Sequence, residues 1–357
     1  MRRILTAEPV NAGRQPELDM ARGLAVLFMI AVHTLMVFAN DQVRDSRFGQ
    51  IVDFLGSPPA APVFMFLLGT GLVFSRRCDP RSLFRRGLLL LGLGYVLTAL
   101  RLVLPLYVAL ALGHDPGFPI KPSALWFMQD ILHFAGLALM FFGGLKSLVP
   151  HPSPALLIGI GVGLGLTNSL LLNLPGAHPN AAALTGLLWG SSQMSFFPFL
   201  SWIIYPLAGY VFGLYLLRAS DKRLFYSVLF FGSTGLFIPL YALFTDLFHV
   251  TIAMDGDPYY HHNALVGILF LLFVLSWISL LYFTTQWFRW PEVVQGAISR
   301  WSRNVTAIYC IHWILIGWLM VVTGLNRFGF LLSIMTFAMV AVASDAIAWW
   351  YANRSRT

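Results

Sequence analysis

The chain has 357 residues, of which 58% are hydrophobic and only 11% are charged, and its mean hydropathy is +0.74. Soluble domains carry about 25% charged residues, so this composition excludes an ordinary soluble protein. The net charge of +8 does not indicate a nucleic-acid partner. The basic residues lie at the ends of apolar runs, where membrane topology explains them.

Ten apolar runs of about 20 residues, the length that a helix needs to cross a bilayer, follow each other along the chain. They cover about 21–39, 60–75, 83–105, 124–145, 155–173, 196–217, 225–246, 264–287, 305–323 and 328–350. The pattern predicts an all-α integral membrane protein with about ten transmembrane helices in one bundle. Residues 21–351 would form one membrane domain between a cytoplasmic N-terminal segment, 1–20, and a cytoplasmic tail, 352–357.

Lysine and arginine are distributed unequally over the two sides of this ten-span map. The side that holds both termini collects 18 of the 23 basic residues, and the other side has Arg44, Arg47, Arg101, Lys121 and Arg327. Cytoplasmic loops carry the excess of Lys and Arg. Both termini of this multi-pass membrane protein are therefore predicted to be cytoplasmic.

The first run, ELDMARGLAVLFMIAVHT, carries Arg22 near its start and His33 well inside it. Eleven residues at about 100° each bring both side chains to one face of a helix, roughly 16 Å apart along the axis. An ionisable group within a membrane segment is a functional candidate. Asp19, one turn before Arg22, is expected to orient that arginine through an ion pair.

Three further ionisable residues lie inside apolar runs. Asp130 and His133 are three residues apart in the fourth run, where they would be neighbours on one helix face, and His312 lies about eight residues into the ninth. A carboxylate that orients an imidazole suits general-base catalysis. Cross-helix hydrogen bonds are the alternative for each of them. Asn304, at the start of the ninth run, is an additional candidate.

The outer-side segment DGDPYYHHN contains Asp255, Asp257, His261 and His262. A solvated loop or an acceptor-recognition loop is expected in preference to a metal site, because the spacing matches no firm metal motif. The two cysteines, Cys78 and Cys310, form no metal-ligand pattern either. No metal or haem is expected.

A basic segment, RRCDPRSLFRR, lies on the predicted cytoplasmic side and contains five arginines in eleven positions. Positive-inside topology and anionic lipid headgroups account for most of this signal. The functional alternative is a docking surface for a phosphorylated donor, since arginine suits phosphate. The candidate donor-binding residues are Arg22, Arg76, Arg77, Arg85 and Arg86.

Four segments together resemble a known group of enzymes: LDMARGLAVLFMIAVH, APVFMFLLGTGLVFS, LWFMQDILHFAGLALMF and FFPFLSWIIYPLAGYVFG. They resemble bacterial relatives of heparan-α-glucosaminide N-acetyltransferase, which belong with the acyltransferase type 3 proteins in a superfamily of transmembrane acyltransferases. The resemblance extends from Leu18 to about Leu216, and the His-Trp pair of the ninth run echoes acyltransferase type 3 proteins. In the heparan-type enzymes an asparagine matches His33 and the active histidine follows the first span, where this chain has ANDQVRD.

The resemblance implies a multi-pass acyltransferase of the bacterial inner membrane. This enzyme would move an acyl group, with acetyl expected, from cytoplasmic acyl-CoA to a hydroxyl or amine of a sugar or glycan at the outer side. His33 would be the catalytic base or a transient nucleophile, and Arg22 would help to hold the donor. Asp130 and His133 would orient groups or relay protons.

Two other classes of function compete with an acyltransferase. Intramembrane His and Asp also form proton relays, as in a proton-coupled transporter or flippase of a polar lipid or glycan, although the two halves show no matching broken segments. Two histidines on facing helices also suit a haem-binding electron carrier.

Overall fold

The computed structural model describes residues 4–114, 125–172, 174, 182–190, 194–247 and 256–354. These residues are mainly helical, and no β-strand occurs among them beyond three isolated bridges. The helices are α1 (Pro16–Phe38), α2 (Asp41–Arg44), α3 (Arg47–Gly56), α4 (Ala61–Phe74), α5 (Pro80–Thr98), α6 (Leu104–Ala111), α7 (Ile131–Leu148), α8 (Pro154–Leu171), α9 (Ala182–Leu188), α10 (Phe199–Trp202), α11 (Ile204–Arg218), α12 (Lys222–Ala242), α13 (Gly256–Tyr260), α14 (Ala264–Trp287), α15 (Glu292–Arg303), α16 (Val305–Thr323) and α17 (Phe330–Arg354). Two π-helical segments continue α5 and α12: Ala99–Val103 and Leu243–Leu247.

Ten helical stretches of the described chain are long and apolar enough to cross a membrane, which confirms the predicted all-α multi-pass fold. They are Pro16–Phe38, Arg47–Phe74, Pro80–Ala111, Ile131–Leu148, Pro154–Leu171, Phe199–Arg218, Lys222–Thr245, Ala264–Trp287, Val305–Thr323 and Phe330–Arg354. Each overlaps one predicted apolar run. Long apolar side chains on their outward faces, such as Phe231, Met335 and Val342, are exposed, as lipid contact requires.

Three spans differ from the sequence prediction at their ends. The second includes α3 and begins at Arg47, and the third extends through the π-helical segment to Ala111. The fourth begins at Ile131 and not near residue 124, because the carboxylate of Asp130 accepts the N–H of Ile131 and caps α7. The apolar pattern predicts Asp130 inside the fourth span, and this is wrong, since Asp130 precedes the helix as its N-cap.

The chain divides into two compact units. Unit 1 comprises Met1–Leu18, Pro62–Gly94 and Gln129–Arg289, and unit 2 comprises Asp19–Ala61, Tyr95–Met128 and Trp290–Thr357. The helix α1 contributes its first turn to unit 1 and its remainder to unit 2.

Close backbone approaches define the packing within unit 1. A Cβ at Gly69 would overlap the backbone of Pro206, and one at Gly209 would overlap that of Phe66. Thr70 donates its hydroxyl to the carbonyl oxygen of Gly209 at 2.9 Å. Small residues at such positions are how membrane helices approach each other closely.

The N-terminal segment is bound to the end of α11 by backbone hydrogen bonds. Thr6 donates its N–H to the carbonyl of Arg218, and Ser220 donates to Ile4, both at 2.9 Å. Immediately after this segment, Glu17 is 2% exposed and pairs with Lys222 at the start of α12. This buried ion pair anchors the beginning of α1 within unit 1.

Unit 2 contains α1 beyond Leu18 together with α15, α16 and α17. Gly23 of α1 has no room for a Cβ, because Ile298 of α15 lies against it. Gly317 of α16 similarly faces the backbone of Arg101 in the π-helical segment. Unit 2 therefore holds His33, Arg101 and His312 on three elements that pack closely.

Candidate active site

The two membrane histidines of unit 2 form a pair. Nδ1 of His33 lies 2.9 Å from Nε2 of His312, and the two rings are nearly parallel, at 7°. His312 is fully buried, whereas His33 keeps partial exposure. The ninth span therefore brings His312 to His33, from a position 279 residues later in the chain.

The backbone of α16 determines which nitrogens of the pair carry hydrogen. Nδ1 of His312 lies 3.1 Å from the carbonyl oxygen of Ile308, which can only accept, so this nitrogen carries the hydrogen. Nε2 of a neutral His312 is then a hydrogen-bond acceptor. It accepts a hydrogen bond from Nδ1–H of His33. Nε2 of a neutral His33 is then left with a lone pair.

Two residues that the sequence patterns do not assign to the site, Trp313 and Arg101, complete the surroundings of His33. The indole of Trp313 stacks on His33 with ring centroids 4.2 Å apart, and Cζ of Arg101 lies 4.2 Å from the Trp313 ring centroid. Arg101 is only 3% exposed. Its position within the apolar run YVLTALRLVLPLY was the signal to notice, because a buried intramembrane charge is costly.

Arg22 belongs to the same face of α1 but has other partners. Its Nη1 lies 3.8 Å from Oδ1 of Asp19 and 3.4 Å from Oγ of Ser302. The Ser302 hydroxyl donates to the same Asp19 oxygen at 2.7 Å. Ser302 is 5% exposed, so the end of α15 fixes the carboxylate that faces Arg22.

Asp130 and His133 belong to unit 1 and form a reciprocal helix cap. The Asp130 carboxylate accepts backbone N–H groups at the start of α7, and Nδ1 of His133 accepts the N–H of Asp130 at 3.0 Å. The Nδ1 lone pair is thereby used, which leaves hydrogen on Nε2 of the neutral ring. Capping accounts for both residues, and a part in catalysis stays a prediction.

The arginines of RRCDPRSLFRR are exposed in unit 1, in the loop before α5 and in its first two turns. Arg86 donates to the carbonyl oxygen of Arg77 at 3.3 Å, and Lys146 donates to that of Cys78 at 3.2 Å. The exposed members are Arg76, Arg77, Arg81, Arg85 and Arg86. An exposed basic surface suits headgroups and phosphates alike.

His261 and His262 are bonded into unit 1. Nδ1 of His262 donates to the carbonyl of Tyr259 at 2.8 Å, and Nε2 lies 3.0 Å from the hydroxyl of Tyr205. Burial lowers the pKa of His262 to about 4, so the ring is neutral. His261 contacts the carbonyl of Ser195. A role in acceptor recognition stays a prediction.

The metal alternative for this segment involves Asp255, which lies outside the described residues, as does the side chain of Asp257. Across the part of the chain that the structure describes, no group of three His, Cys, Asp or Glu is arranged to hold a metal. Asn304 lies between α15 and α16, where its N–H donates to the carbonyl of Arg300 at 3.0 Å. Its backbone therefore closes α15.

Comparison with known proteins defines the class to which this fold and site belong. The sequence model of the acyltransferase domain of acyltransferase type 3 proteins matches residues 15–352. The chain therefore belongs to this family and is a multi-pass membrane protein of the acyltransferase type. None of the curated proteins matches the chain.

Proposed function

We propose that this protein transfers an acyl group, with acetyl expected, from acyl-CoA to a hydroxyl or amine of a sugar or glycan. The single observation that carries the proposal is the hydrogen bond from His33 to His312, because it leaves a base lone pair on Nε2 of His33. Membership of the acyltransferase family supports the reaction class. The resemblance to heparan-α-glucosaminide N-acetyltransferase supports a sugar acceptor.

In this proposal His33 is the general base. Its Nε2 takes the proton from the acceptor hydroxyl or amine as that group attacks the acyl carbon. The imidazolium that forms is stabilised because Nδ1–H of His33 donates to Nε2 of His312. His312 thus positions and stabilises His33, the task that a carboxylate performs in Ser-His-Asp triads.

Arg22 is proposed to bind the phosphates of the donor. Helix rise places Arg22 roughly 16 Å from His33 along α1, a distance that suits a long pantetheine arm. The ion pair with Asp19 and the bond to Ser302 support a fixed guanidinium direction. The distribution of Lys and Arg supports donor entry from the cytoplasm and a cytoplasmic position of both termini.

The acceptor is proposed to enter from the outer side, where the segment with His261 and His262 would lie. The exposed arginines Arg76, Arg77, Arg85 and Arg86 are a separate candidate surface for the phosphorylated donor or for anionic lipid. Asp130 and His133 remain candidates for proton relay.

The test is acyl transfer from labelled acyl-CoA by purified, reconstituted protein. His33→Ala should lower kcat by about 10²–10⁴-fold, the contribution of a general base. His151→Ala, at an exposed loop position, is the matched control and should keep parent turnover.

Unchanged turnover in His33→Ala would exclude His33 as the base. If the parent protein moves a glycan across the membrane of reconstituted vesicles without consuming acyl-CoA, the transporter alternative would be established instead. Binding of acyl-CoA and its conversion to free CoA separate these outcomes.

A further inference from the structure

The indole N–H of Trp313 is a buried donor beside the histidine pair. Trp313 is 9% exposed, and no described residue accepts a hydrogen bond from its Nε1. Buried donors are normally paired, and each exception needs a physical reason. The neighbours of this indole include the His33 ring at 4.2 Å and the Arg101 guanidinium at 4.2 Å, both measured to its centroid.

We propose that Trp313 and Arg101 form the oxyanion site for acyl transfer, with Nε1 of Trp313 as the hydrogen-bond donor and Arg101 as the fixed positive charge. The inference rests on the proposed function, since it requires that His33 acts on an acyl donor. The ligand is the acyl carbonyl oxygen of the thioester.

The step balances with His33 as the carrier of the proton. The acceptor oxygen or nitrogen forms a bond to the acyl carbon while its proton moves to Nε2 of His33. The carbonyl oxygen becomes an anion, accepts the Trp313 N–H and faces Arg101. When the carbonyl re-forms, the carbon–sulfur bond breaks and the CoA thiolate takes the proton from His33.

The backbone around Arg101 is built to hold this charge in place. Arg101 lies in the π-helical segment Ala99–Val103, and such segments occur frequently at functional sites. The carbonyl of Arg101 lies so close to Gly317 that a Cβ there would overlap it. Preorganised charge and donors of this kind stabilise developing negative charge without reorganisation.

Removal of the N–H with the aromatic ring retained is the direct test. Trp313→Phe should lower kcat for acyl transfer by about 10²–10³-fold, as loss of one oxyanion donor does. KM for acyl-CoA and for the acceptor should change by less than about threefold, because the bond forms only in the transition state. Trp318→Phe on the same helix, where Trp318 is 39% exposed, is the matched control and should retain kcat.

A second replacement covers the case in which Trp313→Phe does not fold. β-(3-Benzothienyl)alanine at position 313 keeps the shape of the indole and replaces N–H with sulfur, and it should give the same loss of kcat. Arg101→Gln should also lower kcat, and Arg101→Lys should recover part of it. Equal losses in these two variants would overturn the electrostatic role of Arg101.

Parent-like kcat in the Trp313 variants, or a loss confined to KM for the acceptor, would overturn the inference. If His33→Ala abolishes turnover in the same assay, the proposed function stands and only the oxyanion site fails. If the parent consumes no acyl-CoA, both fail.

Discussion

Nζ of Lys222 lies 2.6 Å from Oε1 of Glu17, although 205 positions separate the two residues. The hydroxyl of Tyr226 donates to the same carboxylate oxygen at 2.9 Å, and Oε1 of Gln15 accepts from Lys222 at 2.7 Å. The start of α1 is thereby joined to the start of α12 by a buried polar network. Removal of one partner from such a network destabilises the fold more than replacement of both partners, because it leaves a buried charge unpaired.

Glu17→Ala should therefore lower the free energy of unfolding by about 3 kcal/mol. This value is the lower end of the range for breaking a buried ion pair, and it is chosen because Lys222 is partly exposed to solvent. Thermal unfolding in detergent measures the loss. Asp41→Ala removes the exposed pair between Asp41 and Arg44 and should cost less than about 1 kcal/mol. Equal effects of the two substitutions would contradict a special role for Glu17.

The neutral, buried His262 predicts a pH dependence of stability. Its pKa is about 4 in the folded protein, and an unfolded histidine has a pKa of about 6.5. Between these values the unfolded state binds the extra proton, so stability falls as the pH falls. From pH 7 to pH 5 the expected loss is about 2 kcal/mol.

Thermal unfolding of the parent and of His262→Gln over pH 5–7 isolates this contribution. The variant should lose this part of the pH slope, and His151→Gln, at an exposed site, should retain it. Parallel slopes in the parent and His262→Gln would show that His262 is not the group responsible.

Ser302 should affect donor binding more than turnover. It donates to Asp19 and accepts from Arg22, so Ser302→Ala removes a support of the guanidinium. A hydrogen bond to a charged group contributes about 1.5–3 kcal/mol, which corresponds to about 10–150-fold in affinity as an upper range. KM for acyl-CoA should rise within this range with kcat nearly unchanged.

Steady-state kinetics with varied acyl-CoA check this expectation, and Gln295→Ala on an exposed position of α15 is the control. A fall in kcat without a change in KM would assign Ser302 to the reaction step and not to the donor.

His312 should act through its acceptor nitrogen. His312→Phe removes the partner of Nδ1–H of His33 and should lower kcat by about 10–150-fold, the equivalent of one hydrogen bond to a charged group. His312→Gln offers an amide oxygen as acceptor and should recover much of this loss. If His312→Phe and His312→Gln have equal kcat values, His312 has only a packing role.

Gly317 should tolerate no side chain. A Cβ would overlap the carbonyl oxygen of Arg101, and overpacking of this kind costs about 1–3 kcal/mol. Gly317→Ala should lower the unfolding temperature and kcat together, because Arg101 moves with the backbone. Gly163→Ala on α8, where a Cβ meets no atom within 4 Å, should be neutral or slightly stabilising, and a similar loss there would contradict the steric argument.

Hydropathy predicted most of the fold because the bilayer imposes a minimum apolar length on every span. Ten spans and the placement of Arg22 and His33 on one helix follow from that constraint. The start of α7 did not follow, since a cap depends on where Asp130 finds backbone N–H groups. A cap depends on hydrogen bonds of single residues at the helix start, and a hydropathy average over about 20 residues does not show where these form.

The candidate site was only partly accessible from sequence. His33 and His312 are each visible as intramembrane histidines, but their bond joins residues 279 positions apart, and no local pattern encodes such a contact. The ten-span map predicts Arg101 as a topology residue on the outer side. Its burial under Trp313 depends on the packing of α16 against the π-helical segment, which only the folded chain shows.

The bond between His33 and His312 also sets the order of events when the protein is made. During synthesis at roughly 5–20 residues per second, about 15–55 s pass between the appearance of His33 and that of His312. Throughout this interval the first span lies in the membrane without the residue that orients its imidazole. The hydrogen-bonded histidine pair is therefore complete only after the ninth span has been inserted.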